Sequence, residues 1–227
     1  VVVDLTGDEG NSEEEPAASQ LSPAGAGEDE LSLEDLVAGP GLHAALITSY
    51  GMDREAALEV FGAPEVLTLV DEYDRAREAP GVEPLVGDGQ SFPGWTLVRP
   101  SFGAGPSYGH GVLHPKLMLL AFADRLRVVI SSANFSRQSF SDVSQCIWVC
   151  DCRPCPHEEV ADPTPGTFAA DLADFVRRLL DTGTSGGLDP AAAWRQILRR
   201  YDVAVPEGVH LVASVPGLSN GGFGILR

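Results

Sequence analysis

Lysine is almost absent from this chain, and so are long apolar runs. The 15 basic side chains comprise one lysine, Lys116, and otherwise arginine. No apolar run approaches the roughly 18 residues that a membrane-spanning helix requires. The sequence therefore predicts a soluble chain without a membrane partner. All the other basic side chains are arginines. The single lysine therefore indicates that an ammonium group is needed at position 116.

Basic residues are also missing from the start of the chain, where the acidic ones are concentrated. The net charge of −18 argues at first against a nucleic-acid partner. However, 11 of the 33 acidic side chains lie in residues 1–35, which leaves 22 against 15 basic side chains, a net charge of −7, for the remainder. This remainder is only mildly acidic, so its charge does not exclude a DNA partner.

The length of 227 residues, 44% of them apolar, suits one compact domain with a tail rather than two full domains. The chain begins with Val1 and ends at Arg227 directly after an apolar run. We therefore expect it to be a piece of a longer protein.

Residues 1–30 form a low-complexity acidic stretch that we expect to be disordered, because it cannot bury enough apolar surface to offset its ordering entropy. Its start is a short β-prone run of Val1, Val2, Val3 and Leu5, followed by acidic residues. This run resembles a SUMO-interacting motif. The resemblance implies that these four residues add a strand to the sheet edge of SUMO or a SUMO-modified protein. A solvated tail is the alternative interpretation.

From residue 31 onward the pattern is that of a globular α/β domain, which we assign to residues 31–227. Capping residues and apolar spacing predict helices, and short apolar runs predict strands between them. Helices are predicted over 32–39, 53–62, 167–183 and 191–202, and strands over 65–73, 94–102, 116–122, 125–133, 145–151 and 209–217. Residues 42–50 are predicted to be helical and then strand-like. Strands that alternate with helices indicate an α/β fold.

Three polar residues flank two of these strands. His114 and Lys116 are two apart at the start of one strand, so their side chains leave the same face. Asn134 follows the next strand, and a hairpin would return it beside them. An ammonium and an amide can hold a phosphate while a neutral imidazole attacks phosphorus. An isolated His-x-Lys pair is more often a solvated strand edge, but the single lysine and the buried strands favour a site.

The residues His114, Lys116 and Asn134, in the frame HPK–(17 residues)–N with LRVVISSANFS, resemble the first active-site motif of the tyrosyl-DNA phosphodiesterase family, a branch of the phospholipase D superfamily. QCIWV resembles the strand that follows the asparagine in that family. The resemblance implies a phospholipase D-like half-domain over residues 31–227, with a mixed sheet flanked by helices. It also implies a nuclear DNA-repair hydrolase, without cofactor or metal, that removes tyrosine and other adducts from the 3′ ends of single- and double-stranded DNA.

Roles for particular residues are implied by the same resemblance. His114 corresponds to the nucleophile that forms a covalent phosphohistidine, and Lys116 and Asn134 to the groups that hold the nonbridging oxygens. Gln145 corresponds to a residue that orients a histidine of the other half of the enzyme. Ser131 and Ser132 are expected to donate to the phosphate.

Further substrate contacts are expected around this motif. Tyr108 or His110 is expected to stack on a base, although both could simply belong to a glycine-rich loop. Phosphate contacts are also expected from Arg137 and from the hydroxyls of Ser136 and Ser139.

The sequence departs from the family pattern in one respect. A second His-x-Lys set is missing because the chain contains no second lysine. The general acid for the leaving tyrosine is therefore missing, and we expect this chain alone to be inactive or slow unless another half or a second copy supplies it. There are two alternative functions: another phospholipase D-type nuclease, and a non-catalytic half-domain that binds DNA and SUMO.

The four cysteines lie close together, at positions 146, 150, 152 and 155, with His157 after them. Such residues could bind zinc, but two of them fall on a predicted apolar strand and the run lacks two separated pairs. We therefore predict free thiols in a reducing compartment and no metal.

Overall fold

The structure is a computed structural model, which describes residues 2–3, 31–72, 78–87, 90–100, 112–156, 162–182 and 187–213. In chain order the elements are β1 (Val2–Val3), α1 (Leu33–Val37), β2 (Ala44–Ser49), α2 (Arg54–Phe61), β3 (Val66–Asp71), β4 (Gly81–Gly87), β5 (Gln90–Arg99), β6 (Leu117–Ala121), β7 (Leu126–Ser131), α3 (Arg137–Ser141), β8 (Ile147–Pro154), α4 (Phe168–Leu180), α5 (Pro190–Leu198), β9 (Tyr201–Asp202) and β10 (Val209–His210).

Eight strands of the described residues form one mixed sheet in the order β4-β5-β3-β2-β6-β7-β8-β9. The pairs β2–β3 and β3–β5 are parallel, whereas the other neighbouring strands are antiparallel. Strands β2 and β6 lie near the middle and are buried along their whole length. The predicted α/β fold with a mixed sheet is therefore confirmed.

Both faces of the sheet are covered, because alternate residues of each central strand point to opposite sides. On one face, α4 and α5 pack against residues such as Leu119 and Val128. On the other face, α1 and α2 pack against residues such as Leu120 and Val129. Consecutive apolar residues such as Val128 and Val129 therefore belong to different cores, which confirms that β7 is buried on both sides.

The helix boundaries follow the capping residues. The Ser32 side chain caps α1, and its reciprocal bonds with Asp35 complete a capping box. Helix α2 lies between the Asp53 cap and Gly62, whose φ of 63° is accessible to glycine at little cost. Thr167 caps α4 and Asp189 caps α5. The sequence signals for helix starts were therefore reliable here.

The structure differs from the prediction where an element is short or lies at an edge. Residues 42–50 contain no helix and only strand β2. Strand β4 was missed because it contains Pro84, which an edge strand tolerates. The short helix α3 was also missed, and residues 201–202, predicted as the end of a helix, form strand β9. In the described part of the last predicted strand, 209–213, only Val209 and His210 are in a strand. His114 and Lys116 precede β6 rather than beginning it, because Pro115 has no N–H with which to continue the strand pairing.

The N-terminal segment is described only at Val2 and Val3, whose backbone forms β1. This strand pairs with β10 in an antiparallel ladder, with Val2 opposite His210 and Val3 opposite Val209. Val1, Leu5 and the rest of residues 4–30 lie outside the described residues, so the predicted disorder and SUMO-interacting motif stay predictions. Among the helices that the structure describes, none has the length and apolar character needed to cross a membrane.

Trp194 is the largest fully buried side chain, and it connects α5 to the sheet. Its ring is 0% exposed, and its Nε1 donates to Thr68 Oγ1 on β3 at 2.9 Å. The Thr68 hydroxyl in turn lies 3.2 Å from that of Thr96 on β5. The indole therefore combines apolar burial with a hydrogen bond that satisfies a buried hydroxyl.

Replacing Trp194 should destabilise the fold. We expect Trp194→Ala to lower the free energy of unfolding by about 3–5 kcal/mol, because it leaves a large cavity between α5 and the sheet. Trp194→Phe should cost less, because it keeps much of the apolar contact and loses mainly the hydrogen bond. Urea unfolding followed by circular dichroism measures both values, and equal costs for the two variants would contradict a packing role for the ring.

Candidate active site

The segments that carry the predicted catalytic residues lie at one edge of the sheet. Strands β2 and β7 end at this edge, and β6, which is antiparallel to both, begins there. His114 and Lys116 come just before β6, and Asn134 comes just after β7. The hairpin formed by β6 and β7 therefore returns Asn134 to the edge at which the His-x-Lys segment lies, as the sequence predicted.

The segment that carries His114 and Lys116 is anchored at both ends. The carboxylate of Glu72, just after β3, accepts a hydrogen bond from the buried Leu113 N at 2.5 Å. The backbone of Ser131 donates from its N to Lys116 O at 3.1 Å. Although the residues before β6 are not part of a strand, their backbone is held beside the end of β7.

The imidazole and the ammonium touch each other. Lys116 Nζ lies 3.0 Å from His114 Nδ1 and 3.4 Å from Nε2, and it donates to His114 O at 3.0 Å. Partial burial lowers the pKa of the Lys116 ammonium below its usual value. The ammonium is therefore in direct contact with the ring that the sequence predicts to be the nucleophile.

An aromatic side chain that sequence reasoning missed lies against His114. The Tyr50 ring follows β2, and its centroid is 5.8 Å from that of the imidazole, with the two planes tilted by 33°. Tyr50 is 43% exposed, unlike the strand before it. In the sequence, the signal that could have pointed to Tyr50 is an aromatic residue directly after the run AALITS.

Asn134 is held by its neighbour Phe135. Phe135 N donates to Ser49 Oγ at 2.8 Å, and Phe135 O accepts from Asp53 N at 2.9 Å. The side-chain Oδ1 of Asn134 is buried and has no hydrogen-bond partner among the described residues. An unsatisfied buried amide oxygen costs about 1–3 kcal/mol, so a group that binds here and completes its hydrogen bonding would be favoured.

A cavity of about 350 Å³ opens beside His114 and Lys116. Ser131 also lines it, and the remaining wall is largely apolar, with contributions from α4 and from residues 211–213. The cavity therefore combines a small polar patch with an apolar wall, which is typical of a binding site. A larger cavity of about 620 Å³ lies between α4, α5 and residues 201–205, and none of the predicted site residues line it.

Ser132 and Gln145 form a separate hydrogen-bonded pair at the same edge. Ser132 Oγ donates to Gln145 Oε1 at 2.5 Å and accepts from Cys146 N at 3.0 Å. The Ser131 hydroxyl donates to Ala133 O at 3.3 Å. Both serine hydroxyls are therefore bonded within the protein, and that of Ser132 orients Gln145. Their expected donation to phosphate stays a prediction.

Arg137 is also engaged within the protein. Its guanidinium lies 3.1 Å from Glu34 and 2.9 Å from Glu59, so it bridges α1 and α2. The Ser136 side chain caps α3, and its hydroxyl lies 2.9 Å from that of Ser139. These contacts hold α3 in place, and the expected phosphate contacts of the three residues stay predictions.

The remaining predicted residues are two rings before His114 and the four cysteines. Tyr108 and His110 lie outside the described residues, so their stacking on a base stays a prediction. The four cysteines are free thiols. In the described part of the chain, no group of three or more histidine, cysteine or acidic side chains is placed to hold a metal ion.

The mixed sheet, with a His-x-Lys pair and an asparagine at one edge, defines a phospholipase D-like fold. The family model for tyrosyl-DNA phosphodiesterase matches residues 17–226. The chain therefore belongs to the tyrosyl-DNA phosphodiesterase family.

Solved structures agree with this assignment at the level of the fold. The yeast tyrosyl-DNA phosphodiesterase is 14% identical, with a TM-score of 0.53 over 77% of this chain and 39% of the yeast chain. A variant of the yeast enzyme with one histidine replaced by arginine is 15% identical, with a TM-score of 0.52 over 76% of this chain and 38% of its own. The chain thus spans less than half the length of these relatives.

The lowered pKa of Lys116 predicts how phosphate binding depends on pH. The affinity for inorganic phosphate should follow the charge of the Lys116 ammonium. Because the Lys116 pKa is lowered, the affinity should fall as pH rises, with its midpoint below the usual lysine value of about 10.5. Calorimetric titration with inorganic phosphate at several pH values measures this.

Lys116→Arg is the matched control, because a guanidinium stays charged throughout this pH range. Its affinity should change little between pH 8 and 11. A wild-type affinity that stays constant to pH 11 would show that the ammonium does not hold the anion.

Proposed function

We propose that this chain supplies the nucleophilic half of a 3′-tyrosyl-DNA phosphodiesterase. One observation carries the proposal: the ammonium of Lys116 lies 3.0 Å from a ring nitrogen of His114, at the mouth of a cavity on the sheet edge. Family membership supports the choice of a phosphodiester substrate. The substrate we propose is DNA, single- or double-stranded, that carries tyrosine or another adduct at its 3′ end.

In the first step the neutral His114 ring attacks phosphorus. A nitrogen–phosphorus bond forms while the bond from phosphorus to the tyrosine oxygen breaks, and the electron pair leaves with that oxygen. Lys116 now donates to His114. It must transfer these hydrogen bonds to the phosphate oxygens, which frees the ring nitrogen and stabilises the charge that develops on them.

Asn134 supplies a second hydrogen-bond donor to the phosphate. The buried end of its amide lacks a partner among the described residues, and rotation by 180° about the last side-chain bond exchanges the oxygen with the NH₂ group in the same space. The NH₂ group can then donate to a nonbridging oxygen. In the second step water attacks the phosphohistidine, the nitrogen–phosphorus bond breaks, and DNA with a 3′ phosphate is released.

The leaving tyrosine needs a proton that we do not assign to this chain. A second His-x-Lys set is absent from the sequence, which contains one lysine. We therefore propose that the general acid belongs to another half of the enzyme or to a second copy. The Gln145 side chain, fixed by Ser132, is available to orient that acid. DNA adducts as substrates make the nucleus the compartment that we propose.

A substrate whose leaving group needs no proton tests the nucleophile in this chain directly. We expect an oligonucleotide with a 3′-(4-nitrophenyl) phosphate to release nitrophenolate and leave an acid-labile DNA adduct on the protein. Lys116→Ala should slow adduct formation by roughly 10²–10³-fold, because it removes a charged donor to the phosphate. Absorbance and denaturing gels measure the two products.

His114→Ala should abolish the adduct and leave most of the DNA affinity. The matched control is His43→Ala, because His43 lies beside a cavity at the opposite end of the sheet. This variant should form the adduct at the wild-type rate. An adduct that survives His114→Ala would contradict the assigned nucleophile.

A non-catalytic half-domain that binds DNA is the alternative, and the same experiment separates it from the enzyme. Such a module would retain the oligonucleotide without releasing nitrophenolate. Another phospholipase D-type nuclease would instead cleave unmodified oligonucleotides at internal phosphodiesters.

We further propose that the N-terminal run binds SUMO as an added strand. The pairing of Val2 and Val3 with β10 shows that this run can adopt strand geometry. Replacing Val1, Val2, Val3 and Leu5 by alanine should abolish binding to immobilised SUMO and leave DNA affinity unchanged, because the run is predicted to supply the apolar contacts. Replacing Asp8 and Glu9 by alanine is the control and should only weaken binding. Unchanged SUMO affinity in the first variant would exclude the motif.

A further inference from the structure

The end of β2 carries two buried hydroxyls that the proposed reaction does not use. Strand β2 reads AALITS, and its last two residues, Thr48 and Ser49, are 1% and 0% exposed. Polar side chains at fully buried positions require hydrogen-bond partners, because an unpaired buried hydroxyl is costly. The partners of these two residues lie on the two segments that carry the candidate catalytic side chains.

The Thr48 hydroxyl bonds to the backbone on both sides of Lys116. It donates to Pro115 O at 2.9 Å and accepts from Leu117 N at 3.0 Å. Pairing between β2 and β6 ends at Ile47, one residue earlier. In this register Leu117 lies opposite Thr48, and its N–H bonds to the Thr48 side chain, so this side chain continues the contact beyond the end of the ladder.

The Ser49 hydroxyl acts on the other segment. It accepts from Phe135 N at 2.8 Å, directly after Asn134. The Phe135 ring is buried and lies 5.4 Å from that of Phe61 on α2, so this point of the backbone is fixed by packing as well. Thr48 therefore bonds to the segment that carries the Lys116 ammonium, and Ser49 bonds to the segment that carries the Asn134 amide.

We propose that Thr48 and Ser49 are positioning residues that set the separation of the Lys116 ammonium and the Asn134 amide for binding a phosphate. One strand end determines both positions, since the two hydroxyls are on consecutive residues of the same rigid element. The proposal rests on the proposed function for the role of the phosphate. The placement of Lys116 by Thr48 can be measured independently of that role.

The single lysine makes the measurement direct. Protein labelled with ¹³C and ¹⁵N in lysine gives one side-chain ammonium signal, from Lys116, whose pH titration reports its environment. We expect Thr48→Val to move the Lys116 pKa toward the value of an exposed lysine, about 10.5, because the backbone around it is released. The affinity for inorganic phosphate should fall roughly tenfold, which corresponds to about 1.4 kcal/mol. Thr48→Ser keeps the hydroxyl and should restore both values.

A purely structural role is separated by a matched control. Thr68 on β3 is also fully buried and bonded through its hydroxyl, to Trp194 and Thr96. Thr68→Val should lower stability as Thr48→Val does but leave the Lys116 signal and phosphate affinity unchanged. If the two variants affect Lys116 equally, or if neither does, Thr48 is not a positioning residue.

Ser49→Ala tests the second hydroxyl and covers the case in which Thr48→Val fails to fold. It should reduce phosphate affinity through Asn134 while the Lys116 pKa stays near its wild-type value. In an Asn134→Ala background, Ser49→Ala should have no further effect on that affinity. An additive loss in the double variant would overturn the role of Ser49. Absence of phosphate binding in the wild type would count against the proposed function, whereas the Lys116 titration would still decide the role of Thr48.

Discussion

The antiparallel pairing of β6 with β7 is the constraint on which the site depends. Because these strands form a hairpin in the centre of the sheet, the residues before β6 and after β7 must lie at the same edge. The hydrogen bond from Ser131 to Lys116 continues this pairing to the edge. Residues that are 18 apart in sequence, Lys116 and Asn134, are brought to one place by main-chain geometry alone, before any side chain contributes.

A second consequence follows from the position of β2 beside this hairpin. Its apolar residues fill both cores, and its last residues become polar where the strand reaches the edge. The same strand thus supplies burial along its length and hydrogen bonds at its end. A site built on such a strand is rigid, because its supporting residues cannot move without disturbing the core.

Much of this arrangement could be predicted from the sequence, and there are physical reasons why the rest could not. The start of α1 was predictable because a cap such as Ser32 acts locally. The end of α5 was not: residues 201–202, predicted as helix, form β9. The grouping of His114, Lys116 and Asn134 followed from hairpin geometry. The contacts of Thr48, Ser132 and Arg137 were not predictable, because their partners lie 13 to 103 residues away in sequence. A hydroxyl or guanidinium does not indicate by its type whether it will bond to a ligand or to its own protein.

The chemistry of the Lys116 side chain has one further consequence. Every other cation of the chain is a guanidinium, and several, such as Arg127, form ion pairs with neighbouring carboxylates. Acetylation, carbamylation or ubiquitin conjugation on a side-chain amine within these 227 residues must occur at Lys116. Each of these modifications would neutralise the ammonium beside His114, so this stretch of chain cannot be modified on a lysine and keep that positive charge.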